Sequence, residues 1–300
     1  MKRLLTPLFL TIALMAQAQK FSYNYYFNDP KKINNTKFYL DLLTFEGGSA
    51  GAGLHCYFRP VKGIFINGLF RYQYLDILGT AEKASTNKIE TGYHGEASAQ
   101  LQFAGYVKKK EKRTPVRVST TSSMRVKAKV HRSFYLRGGA MMYRSTIVAW
   151  EEVPFTSNGK DLFDPDKGIF ANQTGSCFFA GYAGKKVRKV GIDVSTYGKR
   201  RTFLARTFFM DAIVGETLLS NVTYNNATYD IKDTKRDKIG YRLGWEWEEN
   251  GTSIRFEVGK KPGFNQVAMY PINYYMLSFG CRIIGREKFI FPEKKEEPKK

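Results

Sequence analysis

Residues 92–108 read Gly-Tyr-His-Gly-Glu-Ala-Ser-Ala-Gln-Leu-Gln-Phe-Ala-Gly-Tyr-Val-Lys. In an extended chain, Tyr93, Gly95, Ala97, Ala99, Leu101, Phe103, Gly105 and Val107 share one face. His94, Glu96, Ser98, Gln100, Gln102, Ala104, Tyr106 and Lys108 share the other. Helical spacing would mix the two sets, whereas a period of two separates them. This stretch is therefore a long strand with an apolar or small side and a polar side.

The same separation recurs along the chain. Residues 50–59, 63–76, 133–145, 189–195, 239–248, 253–259 and 274–283 all alternate in this way. In residues 239–248, for example, Ile239, Tyr241, Leu243, Trp245 and Trp247 oppose Gly240, Arg242, Gly244, Glu246 and Glu248. Residues 37–46, 176–185 and 202–216 alternate less cleanly, but their β-propensity and flanking turn signals mark them as strands. Residues 21–27 supply a twelfth candidate. The connections at 78–91, 107–130, 150–174, 218–237 and 261–272 are long. Those at 46–49, 59–63, 185–189, 198–202 and 249–251 are tight, and Asn250-Gly251 is a hairpin signal. Within 107–130, Val116, Val118, Val126, Ala128 and Val130 alternate too, so this connection is either a loop or strands running past the rest.

The 300 residues include 48 Lys+Arg against 27 Asp+Glu, a net charge of +21. An aromatic content of 15% argues against a disordered chain. Beyond the amino-terminal region, no run of about 20 mainly apolar residues marks a membrane-spanning helix. At the amino terminus, Lys2 and Arg3 precede an apolar run from Leu4 to Met15, and Ala16-Gln17-Ala18 is a small-x-small cleavage site. Residues 1–18 therefore read as an export signal, with the mature chain starting at Gln19. Three cysteines, Cys56, Cys177 and Cys281, are too few for a disulfide framework and sit where Cys acts as a small hydrophobe.

Alternation fits either a soluble sandwich or a barrel in a membrane. A sandwich presents a strongly charged outer face, whereas a barrel turns its apolar face to lipid and keeps a polar or small-residue lumen. The second faces here carry Gly, Ser, Gln, Tyr and Arg. Trp245, Trp247, Tyr72, Tyr74 and Tyr275 lie toward strand ends on the apolar face, as an aromatic belt requires. The expected fold is all-β: a closed antiparallel transmembrane β-barrel of 10–12 strands with long loops. Residues 19–35 form a lead-in with room for one strand, 36–285 the barrel and 286–300 a charged tail.

Two runs point to a family. Lys199-Arg200-Arg201-Thr202 turns into Arg206-Thr207-Phe208-Phe209-Met210-Asp211, and His131-Arg132-Ser133-Phe134-Tyr135-Leu136-Arg137-Gly138-Gly139 opens another strand. On these runs and its strand pattern, the chain resembles the outer-membrane β-barrel proteins of Gram-negative bacteria, and is similar to those of the Bacteroidota. The resemblance implies an outer-membrane location. Many such barrels end on an aromatic residue, whereas this chain continues past Phe289-Ile290-Phe291 into a Lys- and Glu-rich tail.

Catalytic and cofactor motifs are sparse. His55, His94 and His131 fall on three strands, and no Cys/His/Asp set has metal-ligand spacing. Gly48-Ser49-Ala50-Gly51-Ala52-Gly53 leads into a strand, not a helix, so it is no phosphate cradle. His131 and Ser133 share a strand face, as in outer-membrane phospholipases, but have no third orienting residue. No cofactor is expected. The basic runs at 108–113, 185–189 and 199–201 suit anionic lipid headgroups, lipopolysaccharide phosphates and acidic glycans, or a solvated face with no specific partner. Export argues against nucleic acid.

By parity, the lumen receives Arg59, Arg71, His94, Glu96, Arg137, Lys189, Asp193, Arg242, Glu246, Arg255, Glu257 and Arg282. Acids interleaved with arginines suggest an ion-paired plug; unpaired arginines would suggest a narrow anion-preferring pore. The expected role is thus non-catalytic: a structural outer-membrane barrel or subunit of an envelope complex, docking other envelope proteins through its loops or tail. The alternatives are a small pore or transporter for anionic solutes and, third, a hydrolase of lipid or protein.

Overall fold

The computed structural model describes residues 22–34, 36–46, 49–76, 92–149, 155–157, 160–161, 169–219, 222–224, 227–231, 236–264 and 273–289. The expected export signal and residues 290–300 lie outside these, as do most of the long connections at 78–91 and 261–272. No helix occurs among the described residues.

In chain order the strands are β1 (Tyr23–Phe27), β2 (Thr36–Glu46), β3 (Ser49–Phe58), β4 (Ile64–Asp76), β5 (Tyr93–Val107), β6 (Lys112–Arg117), β7 (Ser123–Ala128) and β8 (His131–Ala149). Then come the short β9 (Phe155–Ser157) and β10 (Lys160–Asp161), followed by the long β11 (Ile169–Val194) and β12 (Gly198–Leu219). The rest are β13 (Val222–Tyr224), β14 (Ala227–Ile231), β15 (Arg236–Asp237), β16 (Ile239–Glu249), β17 (Thr252–Lys260), β18 (Gly263–Phe264) and β19 (Asn273–Ile284).

Ten of these, β2, β3, β4, β5, β8, β11, β12, β16, β17 and β19, pair antiparallel in that order, and β19 returns to β2. Closure leaves no bare sheet edge between the first and last strands. Because ten is even, the chain enters at Thr36 and leaves at Ile284 on the same rim, here called the terminal rim. The tight connections between β3 and β4, β11 and β12, and β16 and β17 lie on that rim too. At the last of them, Asn250 (φ 50°) and Gly251 (φ 108°) take the left-handed conformation that a two-residue hairpin demands.

The ten barrel strands fall within the expected 10–12, and two of the twelve candidate segments account for the difference. Residues 185–189 are no turn: β11 runs unbroken through them, with Lys185 opposite Ser133 and Thr207. Residues 21–27 supply β1, which stays outside the barrel. It pairs with β11 at Tyr23↔Val194 and Tyr25↔Ile192, past Val187 where β8 stops.

The residues at 107–130, one of the long connections, fold as the β6–β7 hairpin at the terminal rim. Val116, Val118, Val126 and Ala128 pack on Val190, Ile192 and Val194 of β11, forming a small core apart from the barrel interior. Each fully buried Val contributes about 1.5–3 kcal/mol, so this contact suffices to hold the hairpin down.

The barrel itself is apolar outside and charged inside. Outward Phe178, Ile239 and Leu218 are 70%, 69% and 65% exposed, while inward Arg71, Arg242 and Glu257 are fully buried. Two bulges explain where sequence parity blurs. In β2, the register shifts between Asp41 and Thr44, so the consecutive Leu42 and Leu43 both face outward. In β5, a shift between Gln102 and Ala104 leaves both Phe103 and Tyr106 exposed, which corrects the placement of Tyr106 on the polar face.

Candidate functional site

The interior is built rung by rung from strand register. One rung runs Arg137 (β8), Gly181 (β11), Asp211 (β12), Arg242 (β16) and Gly259 (β17), each opposite the next. Gly181 has no side chain to fill the space between Arg137 and Asp211. Arg137 Nε therefore reaches across it to Asp211 Oδ1 at 3.1 Å.

Around this rung the charges pair closely. Arg242 donates to Asp211 at 2.8 Å, to Glu96 at 2.6 Å and to Glu257 at 3.3 Å. Arg137 donates to Glu96 at 3.0 Å, and Arg255 to Glu257 at 2.5 Å. The Phe209 ring packs beneath the guanidinium groups of Arg137, Arg242 and Arg255 at 4.1, 5.4 and 5.2 Å. That ring occupies the space left by Gly244, its neighbour across the β12–β16 ladder. With Arg71 against Asp41 at 3.5 Å, four arginines face four carboxylates. Buried charges are tolerable when paired and hydrogen-bonded, as Arg137, Arg242 and Arg255 are; Arg71 has its ion pair alone.

Two further groups close the ends of the interior. Toward the rim opposite the termini, Glu46 accepts from Lys261 at 2.6 Å and lies 3.1 Å from His94 Nδ1. At the terminal rim, Lys37 bridges Glu248 and Glu287 at 3.0 and 2.8 Å, and Lys189 holds Glu287 at 2.9 Å. Arg282 adds a bridge to Glu248 at 3.1 Å. Tyr57 donates to Glu246 near the centre. A small cavity of about 30 Å³ lies between His55, Asn67, Glu96, Arg137, Phe209 and Arg255.

Of the twelve residues assigned to the lumen by parity, Arg71, His94, Glu96, Arg137, Lys189, Arg242, Glu246, Arg255 and Glu257 are buried there. Arg282 is half-buried at the rim. Arg59 lies in the tight connection after β3, its guanidinium over the Phe65 ring at 5.2 Å, and joins no ion pair among the described residues. Asp193 does not enter the lumen. It shares the Lys189 face of β11, but it is exposed where that strand runs past the end of β8.

Sequence parity missed Lys37, Asp41, Glu46, Asp211 and Glu287; Glu248, which parity sets on the Glu246 face, joins them in the interior. The β2 bulge hides Asp41 and Glu46 by reversing the alternation between them. Asp211 shares its face with Phe209 and Ile213, so nothing nearby marks that face as polar. Glu287 lies beyond the last strand in the stretch assigned to the tail; Gly285 to Phe289 instead return to the barrel mouth.

Ser133 Oγ accepts a hydrogen bond from the Tyr135 hydroxyl at 2.7 Å. Among the described residues no group of three His, Cys, Asp or Glu is placed to hold a metal, and the three cysteines are free. No known family matches the chain, and no curated protein is significantly similar to it.

Proposed function

We propose that this chain is an exported barrel of the bacterial outer membrane, of the kind found in Gram-negative Bacteroidota. Its role in that reading is structural, as a closed barrel or as a subunit of an envelope complex, and we assign it no catalytic step. The observation that carries this is the inverted surface. Leu54, Phe70, Leu101, Leu136, Phe178 and Met210 face outward while the arginines and carboxylates are buried. In water such a continuous apolar band would be a liability. In lipid it is what a closed barrel requires. Three of the tight connections, after β3, β11 and β16, share one rim with both barrel termini, as in barrels whose termini lie in the periplasm.

The paired interior supports a plug over a channel. One feature favours the second reading, a narrow anion pore: Arg71 Nη1 and Nη2 are buried and make no hydrogen bond among the described residues. Purified protein in planar bilayers separates the two. The plugged reading expects a heat-modifiable band on gels and no steady conductance. Anion-selective steps would favour the pore, and recovery in the soluble periplasmic fraction would overturn the membrane reading.

A further inference from the structure

The outward face changes character at one level. Phe134, Gly184, Phe208 and Trp245 form the last apolar rung toward the terminal rim, each opposite the next. Phe103, Tyr106 and Tyr182 cluster around Phe134 with ring centroids 6.0–6.4 Å apart. The next rung down runs Tyr106 (β5), Arg132 (β8), Lys186 (β11), Arg206 (β12) and Trp247 (β16). Three cations thus stand on three adjacent strands, spread over about 10 Å, between two aromatic side chains.

No carboxylate pairs with Arg132, Lys186 or Arg206 among the described residues, and Arg132 Nε is buried without a hydrogen-bond partner. Arg206 lies over the Trp247 ring at 5.8 Å. Lys108, just before the hairpin, and Lys112, at its start, add to the charge. One rung further on, Arg188 is tied to the hairpin through Thr114 Oγ1 at 3.4 Å. The cationic rung therefore sits in a notch, with the apolar band above and the β6–β7 hairpin below.

We infer that Arg132, Lys186 and Arg206 form a binding site for the phosphate of an anionic glycerophospholipid in the leaflet at the terminal rim. This rests on the membrane reading proposed above. Acyl chains lie along the Phe134 and Phe208 rung, Tyr106 and Trp247 flank the glycerol level, and the phosphate meets three unpaired cations. The basic runs at 108–113, 185–189 and 199–201 all fall at this rim. The phosphate they meet is then that of a phospholipid in the periplasmic leaflet, not of lipopolysaccharide on the far side.

The test uses the full barrel carrying Trp150→Phe, reconstituted in vesicles, with Trp245 and Trp247 as reporters. Brominated phosphatidylglycerol and brominated phosphatidylcholine then compete to quench them. The parent protein is expected to prefer the anionic lipid. The triple variant Arg132→Gln, Lys186→Gln and Arg206→Gln is expected to lose about a hundredfold of that preference, since each cation near an anionic surface is worth roughly fivefold. A control triple variant, Arg117→Gln, Arg125→Gln and Lys127→Gln, keeps the preference. Equal loss in both variants would reduce the effect to bulk charge and overturn the site. Displacement of the anionic lipid by millimolar inorganic phosphate would overturn the lipid assignment. Absence of preference in a protein with a normal heat-modifiable band would sink the inference and leave the barrel reading intact. Absence of both quenching and that band would sink the membrane reading itself.

Discussion

Arg242 and Asp211 face each other across the β12–β16 ladder, and both the Nε and Nη2 donors of the arginine converge on Asp211 Oδ2, at 3.0 and 2.8 Å. Neither side chain is exposed. Truncating one partner of such a pair strands the other charge. Arg242→Ala is expected to cost about 3–5 kcal/mol, lowering the temperature at which the folded gel band disappears. Adding Asp211→Ala should recover part of that loss, because the two residues act as one unit. Strictly additive losses in the double variant would mean that the pair is uncoupled.

Gly181 has a different weakness. Any Cβ there would meet the Met210 carbonyl and the Asp211 carboxylate. Gly181→Val therefore has to displace backbone on β12 and break the reach of Arg137 to Asp211. The expected cost is about 1–3 kcal/mol from overpacking, plus the loss of that ion pair. Urea titration of the folded band measures it; an unchanged midpoint would refute the packing described for this rung.

Acid should loosen the terminal rim before it loosens the barrel. Burial alone raises the Glu287 carboxyl, but Lys37 and Lys189 outweigh it and hold the group below its ordinary value. A lowered folded-state pKa gives stabilisation that is complete above the unfolded value, about 4.3. That stabilisation disappears as pH falls below this value and through the folded one. Hydrogen exchange of residues 285–289 should thus accelerate, beyond its intrinsic change, below about pH 4. Glu287→Gln should exchange fast throughout and show no pH step.

The β6–β7 hairpin should come away without unfolding the barrel. Val126 is fully buried against β11, and Val126→Asp places a charge in that contact. The expected result is rapid tryptic cleavage within 108–130, with the heat-modifiable band retained. Protection equal to the parent protein would show that the hairpin is held by something other than this small core.

Much of the architecture is legible in single strands. Residues 239–249 print their inside and outside faces directly, because β16 is regular and its neighbours impose no bulge. The strand count was less legible. The basic run at 185–189 resembles a turn by charge, yet it contains no Gly, Pro or Asn, and Lys185, Val187 and Lys189 keep the inward parity of β11. The interior network was half legible. Arginines on alternating faces announce themselves, whereas Asp41 sits beside a bulge and Asp211 is flanked by Phe209 and Ile213. Glu287 gave no local signal, since its place depends on Lys37 and Lys189, far away along the chain. The lone β1 strand could not be told from a barrel strand, because pairing on one side only leaves no mark on alternation.

That lone strand also bears on the order of events. β1 and β2 are synthesised first, but Tyr23 waits for Val194, and Phe38 waits for Ile284. The other barrel strands each pair with the barrel strand next in the chain, across one connection. Contacts between such distant parts of a chain form slowly, and until they do, two nascent strands carry bare hydrogen-bonding edges. The amino-terminal stretch is thus the part of the molecule with most need of a chaperone. Sealing waits for the arrival of Asn273–Ile284, so a chain cut short before it has every other wall and still cannot close.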